Sequence, residues 1–154
     1  MIYDLSRREI PIALTLLCLA TAGVVAILHQ LWTPAILTVA LILVSDVQSP
    51  DYRRILAGTA CLIAGVLQPT TFVLCIVVLA VWSFWDFGFI GGADAKLLIA
   101  ILLANGNPAI LIPIFLTGGI QGLIARLHHQ AEIPFVVSIF LGTILFLATP
   151  LIQT

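Results

Sequence analysis

The stretch TTFVLCIVVLAVWSFWDF, residues 70–87, has no charged residue before Asp86. It is close to the length of about 20 residues that a helix needs to cross a bilayer. Six more apolar segments accompany it, at roughly 11–29, 33–46, 54–67, 95–105, 108–126 and 134–151. In lipid a helix satisfies its own backbone hydrogen bonds, so these segments favour helices. We therefore expect one all-α domain over residues 1–154, a polytopic transmembrane bundle of about six to seven helices.

The composition supports a lipid environment. The chain has 154 residues, of which 62% are hydrophobic and 8% charged, and its mean hydropathy is +1.23. A soluble domain carries about 25% charged residues. The net charge of −1 argues against a nucleic-acid partner, because phosphate binding needs clustered basic residues. The lipid bilayer is thus the partner that composition indicates.

The charged residues all fall on one side if successive segments cross the membrane in alternate directions. The basic residues on that side are Arg7, Arg8, Arg53, Arg54, Lys96 and Arg126. The acids on it are Asp4, Glu9, Asp46, Asp51, Asp86, Asp94 and Glu132. Loops rich in Lys and Arg stay in the cytoplasm. The pattern therefore predicts a multi-pass protein of the cell membrane with this side, and the N-terminus, cytoplasmic.

The most unusual local sequence is GGADAKLL, residues 91–98. Gly91, Gly92 and Ala93 let the backbone bend just before a helix that begins near Asp94. One interpretation is a plain helix cap, with Asp94 capping and Lys96 reaching the membrane interface. The other is a functional acid, because ionisable groups inside membranes are rare and usually functional.

Two further acids are candidates to act with Asp94. Asp4 begins DLSRREIP, residues 4–11, directly before the first apolar run, and Asp46 follows the second run. Two aspartates that share one water can hydrolyse a peptide bond. One keeps a proton because like charges that close cannot both ionise, and the other acts as base. Each acid also has a simpler interpretation, as part of a basic anchor for Asp4 and as a loop residue for Asp46.

Both motifs resemble those of one family, the prepilin and preflagellin peptidases. GGADAKLL is similar to their Gly-x-Gly-Asp-x-Lys-Leu motif, and DLSRREIP resembles their Asp, basic residues, Ile-Pro motif. More loosely, Ile133, Pro134 and Phe135, with Gly142 beyond, resemble the closing helix of that family. The resemblance implies an aspartic endopeptidase whose catalytic pair is Asp4 and Asp94. The implied substrate is a prepilin-like membrane protein with a basic leader, cut at the cytoplasmic face.

The sequence departs from the family pattern in three ways. Ala93 replaces the second glycine, and Ile12 stands where Asn or Asp is usual. Members normally have one helix before the first aspartate and two between the aspartates, a layout that Asp46 fits better than Asp4. Local motif chemistry favours Asp4, and Asp46 stays the alternative. The family's longer members also N-methylate the product, using an extra segment with paired cysteines. This sequence shows no such segment, so we expect peptidase activity only.

Two functions from other classes stay open. The chain could be a catalytically silent membrane scaffold, or a small proton-coupled transporter that uses Asp46 and Asp94 as relay groups. We expect no cofactor and no metal, although His128, His129 and Glu132 have near-helical spacing. The three tryptophans, Trp32, Trp82 and Trp85, are interpreted as residues of interfacial belts.

Overall fold

The helices are described in a computed structural model that covers residues 12–127 and 135–148. Every regular element in these two ranges is helical, so the predicted all-α class is confirmed there. The α-helices are α1 Ile12–Leu28, α2 Trp32–Ser45, α3 Pro50–Leu67, α4 Phe72–Asp86, α5 Gly92–Asn105, α6 Leu111–Leu127 and α7 Phe135–Ala148. Single 3₁₀ turns, Pro69–Thr71 and Pro108–Ile110, precede α4 and α6.

Each predicted apolar segment overlaps one of these helices, but two helices begin three or four residues earlier than hydrophobicity alone indicated. Helix α3 begins at Pro50 rather than near residue 54, because proline has the right fixed φ for a first helical position and needs no N–H partner there. Helix α5 begins at Gly92 rather than at residue 95, with Gly91 as its N-cap. Polar residues that we expected in loops therefore belong to first helical turns.

One helical stretch is long and apolar enough to cross a membrane, among the residues described. It is Pro69–Asp86, with 18 residues and a mean hydropathy of 1.6. Four shorter apolar helices accompany it, namely Ala13–Leu28, Trp32–Ser45, Pro108–Ile124 and Phe135–Ala148. The multi-pass arrangement therefore stays a prediction.

The described residues form two compact units, of which the first runs over 12–106. Helix α5 is the main packing partner of α1, and it also packs against α4. Its buried residues spread over more than half of the helix circumference and are Ala95, Leu98, Ile99, Ala100, Leu102 and Leu103. A helix buried over so wide a face is a core helix. Its first turn lies at one end of the unit.

The opposite end of this unit is held together by neutral hydrogen bonds. The Thr33 hydroxyl donates to Gln68 Oε1 at 2.7 Å and lies 2.7 Å from the Thr71 hydroxyl. Gln68 Nε2 donates to the backbone carbonyl of Gln30 at 3.0 Å. Helix α5 ends there at Gly106, whose φ of 71° suits glycine. We call this the neutral end.

The second unit contains α6 and α7, which pack closely against each other. A Cβ on Gly142 would lie 2.6 Å from the backbone nitrogen of Ile114, so only glycine fits this crossing. The Thr117 hydroxyl donates across the pair to the carbonyl of Ser138 at 2.9 Å. Small residues and hydroxyl groups of this kind let two apolar helices approach closely.

Both units expose large apolar side chains. In α3 these include Val66 at 80% and Ile55 at 63% exposure, and in α6 Ile112 at 66% and Leu123 at 62%. Such surface is rare on a soluble monomer when it is contiguous.

Candidate active site

The end of the first unit opposite the neutral end carries all the charged residues of 12–106, and we call it the charged end. They are Asp46, Asp51, Arg53, Arg54, Asp86, Asp94 and Lys96. Each lies beside a helix terminus, after α2, in the first turns of α3 and α5, or at the end of α4. The charges of this unit thus share one end, whereas the crossing of a membrane by its helices stays a prediction.

Asp86 is held by two arginines of the neighbouring helix. Its side chain is 1% exposed, and its Oδ2 accepts a hydrogen bond from Arg54 Nε at 2.8 Å. Its Oδ1 forms an ion pair with Arg53 Nη2. The Arg54 guanidinium also lies over the Phe87 ring, 4.5 Å from its centroid. A buried carboxylate needs such compensation. We call these three residues, Arg53, Arg54 and Asp86, the arginine clamp.

The clamp gives Asp86 a structural role. Asp86 neutralises two cations, and both ion pairs found among residues 12–127 and 135–148 are its own. It therefore works as a counter-ion that joins α3 to α4.

Asp94 is in the opposite situation. It is the third residue of α5 and is half-buried, and within the described residues it forms no ion pair and accepts no hydrogen bond. A Cβ on Gly91 would lie 3.2 Å from Asp94 Oδ2, so the carboxyl leans back over the glycine at the N-cap. The helix-cap interpretation is therefore wrong in its details, since Gly91 occupies the cap position. Burial raises the pKa of the Asp94 carboxyl, because a low-dielectric setting disfavours the charged form.

Two tryptophans support this end of the unit, a role that the sequence did not indicate. Trp82 is 5% exposed, and its Nε1–H donates to the Ser45 hydroxyl at 3.0 Å. The Trp85 ring meets the Trp82 ring edge to face, with centroids 6.1 Å apart. A Cβ on Gly92 would lie 3.1 Å from Trp85 Nε1. The belt interpretation is therefore wrong for Trp82, which is a core residue; its only signal was the three-residue spacing from Trp85.

The other predicted site residues are less constrained. Asp46 follows the last turn of α2 and is exposed, at the same end as Asp94. Ala93 and Lys96 lie in the first turns of α5 and are half-buried. Asp4 lies outside the described residues, as do Arg7, Arg8, His128, His129 and Glu132. The structure therefore brings Asp46 and Asp94 to one end and leaves the pairing with Asp4 a prediction.

No group of three His, Cys, Asp or Glu side chains within 12–127 and 135–148 is arranged to hold a metal ion. Comparison with protein-family models, curated proteins and solved structures finds no match to this chain. The function must therefore be argued from the charged end itself.

Proposed function

We propose that this protein is a membrane aspartyl endopeptidase that cuts the leader of prepilin-like membrane proteins at the cytoplasmic face. The observation that carries the proposal is Asp94: a half-buried carboxyl at the charged end, with no counter-charge among the described residues. Acids placed this way are candidates for acid/base work. Asp94 differs in this from Asp86, because the basic residues Arg53 and Arg54 of the same end form their ion pairs with Asp86.

The chemistry requires a second carboxyl beside Asp94. Burial favours the protonated form of one acid, which donates a hydrogen bond to the scissile carbonyl, while the ionised partner takes a proton from the attacking water. The pair titrates as a unit. Asp4 is the proposed partner because it begins the second motif, and Asp46 is the alternative because it shares the charged end with Asp94.

The membrane location rests on two features of the described residues. Large apolar side chains are exposed along the helices, which lipid would cover. The charges of residues 12–106 lie at one end, with Arg53, Arg54 and Lys96 among them. We propose that the protein is a multi-pass cell-membrane protein and that this end faces the cytoplasm. Recovery of the protein in the soluble fraction, without detergent, would remove this part of the proposal.

A cleavage assay tests the function. The purified protein in detergent is incubated with a prepilin-like substrate, and a shortened product is sought by mass spectrometry. We expect Asp94→Asn to reduce the rate of cleavage at least about 1,000-fold, because the amide can neither donate nor accept the proton that the reaction transfers. A similar loss with Asp4→Asn or Asp46→Asn identifies the partner. Asp51→Asn is the matched control, because Asp51 is an exposed acid at the same end.

The outcomes separate the rival functions. Cleavage that survives Asp94→Asn rules out the proposed mechanism. Proton flux into liposomes without any cleavage, lost on Asp94→Asn, would favour a proton-coupled transporter. Neither cleavage nor flux, with normal folding, would favour a silent scaffold.

A further inference from the structure

The contact between Trp85 and Gly92 joins the end of α4 to the start of α5. A Cβ on Gly92 would lie 3.1 Å from Trp85 Nε1 and 3.6 Å from its Cδ1, so the edge of the indole rests against the glycine. Gly92 is the first residue of α5, and Asp94 follows it within the same turn. Residues in one helical turn move together, because their φ and ψ angles are fixed jointly. A shift of the Trp85 indole would therefore also shift the backbone of Asp94.

Trp85 is itself braced by neighbours. Its ring packs edge to face on Trp82, whose indole N–H is fixed by the Ser45 hydroxyl. Ser45 in turn donates to the carbonyl of Leu41 at 2.7 Å, inside α2. A side chain whose rotamer is fixed by packing and hydrogen bonds can hold a reacting group to within a fraction of an ångström. The series Ser45, Trp82, Trp85 and Gly92 therefore links the end of α2 to the turn that carries Asp94.

The two glycines have different tasks in this arrangement. Gly91 leaves room for the Asp94 carboxyl, whose Oδ2 would lie 3.2 Å from a Cβ there. Gly92 leaves room for the indole of Trp85. Neither glycine has a positive φ. The space around them, rather than an unusual backbone conformation, is what a side chain at either position would remove.

We propose that Trp85 is a positioning residue for Asp94: by supporting Gly92, it sets where the first turn of α5, and with it the carboxyl, lies. The inference rests on the proposed peptidase function. It adds a residue outside both aspartate motifs, and it predicts that changes at Trp85 and Gly92 affect the same contact.

A double-mutant cycle tests the proposal. Gly92→Ala places a methyl group 3.1 Å from Trp85 Nε1, so the indole and the turn must separate by a few tenths of an ångström. We expect kcat to fall about 10-fold, less than the about 100-fold that a misplacement of about 1 Å costs. Trp85→Leu keeps carbon atoms out to the δ position but has none where Nε1 lies. It removes the support and should also lower kcat, with KM within about two-fold. The double variant should be no worse than Trp85→Leu alone, because the contact that the new methyl group would crowd is already absent.

Tryptophan fluorescence supplies a readout that needs no substrate. Gly92→Ala should shift the emission maximum and raise acrylamide quenching, because it displaces Trp85. In the Trp85→Leu background the same change should have no effect on emission. Gly58→Ala is the control for both arms, since a Cβ there meets nothing within 4 Å.

The arms distinguish the two ways of failing. The positioning role is overturned if the losses in kcat of the two single variants multiply in the double variant. It is also overturned if Gly92→Ala leaves the emission spectrum unchanged. If the wild-type protein cleaves nothing, the peptidase proposal fails, and the emission arm alone decides whether Trp85 holds the turn of Asp94. The positioning role is also overturned if the variants lose activity only because they unfold. In that case their melting temperatures fall, and both KM and kcat return to wild-type values on cooling.

Discussion

The charged end and the neutral end of the first unit are stabilised by different physics. At the neutral end, hydroxyl and amide groups of Thr33, Gln68 and Thr71 satisfy one another, and no Lys, Arg, Asp or Glu lies among the described residues there. At the charged end, one carboxylate, Asp86, is compensated by two arginines, while a second, Asp94, has no counter-charge among the described residues. At the neutral end these polar groups therefore satisfy one another. The charged end has one half-buried acid without an ion pair among the described residues, as the proposed site requires.

Removing Asp86 should have the largest effect on stability. Asp86→Ala leaves Arg53 and Arg54 without their counter-ion, at a cost of about 2–3 kcal/mol in the free energy of unfolding. We place it below the range for fully buried pairs because Arg54 is 44% exposed. Unfolding in detergent by denaturant measures it. Asp51→Ala, an exposed acid at the same end, should change stability by less than about 0.5 kcal/mol. Equal losses for the two variants would contradict the arginine clamp.

A smaller loss is expected at the neutral end. Thr33→Val keeps the shape of the side chain but removes the hydroxyl shared by Gln68 and Thr71, at a cost of about 1–2 kcal/mol. The loss should not depend on salt, because no charge is involved. Thr59→Val is the control: its exposed hydroxyl bonds only to the carbonyl of Ile55 in its own helix. A loss at Thr33 that shrinks with added salt would mean that the two ends do not differ as described.

The smallest effect concerns the pH dependence that Asp94 contributes. Burial raises the pKa of its carboxyl in the folded state, so between about pH 4 and that raised value the native protein binds more protons than the unfolded chain. Stability should therefore fall as pH rises through this window. Asp94→Asn removes this contribution, so the variant's stability relative to wild type should increase over the same window. A difference that stays constant with pH would show that Asp94 is not buried as described.

Sequence reasoning was strong for the helices and weaker for the contacts between them. Long apolar runs such as 70–87 predict a helix almost by themselves, and turn residues such as Gln68 and Pro69 mark their ends. The starts of α3 and α5 were placed too late, because Asp51 and Arg53 were left outside the apolar run and Asp94 was assigned to the helix cap. A helix N-terminus tolerates acids and proline, so the apolar run underestimates its length.

The site was partly predictable. Asp94 stood out because a Gly-Gly turn precedes it, and its half-buried location at the charged end fits that expectation. The clamp was not foreseen, because which acid pairs with Arg53 and Arg54 depends on how α3 packs against α4. The same holds for Trp82 and Trp85, whose partners Ser45 and Gly92 come from other helices. Packing geometry decides which side chains of different helices meet, and a single sequence does not give that geometry.

The neutral end has a consequence for biosynthesis in the membrane location that we propose. The tips between α1 and α2, and between α3 and α4, contain Gln30, Thr33, Gln68 and Thr71 but no Lys, Arg, Asp or Glu. Each pair of helices can thus enter a bilayer as a hairpin whose leading edge drags no fixed charge through hydrocarbon. In that location, the hydrogen bonds between the two tips would form once both hairpins have crossed the bilayer, without any fixed charge on that side.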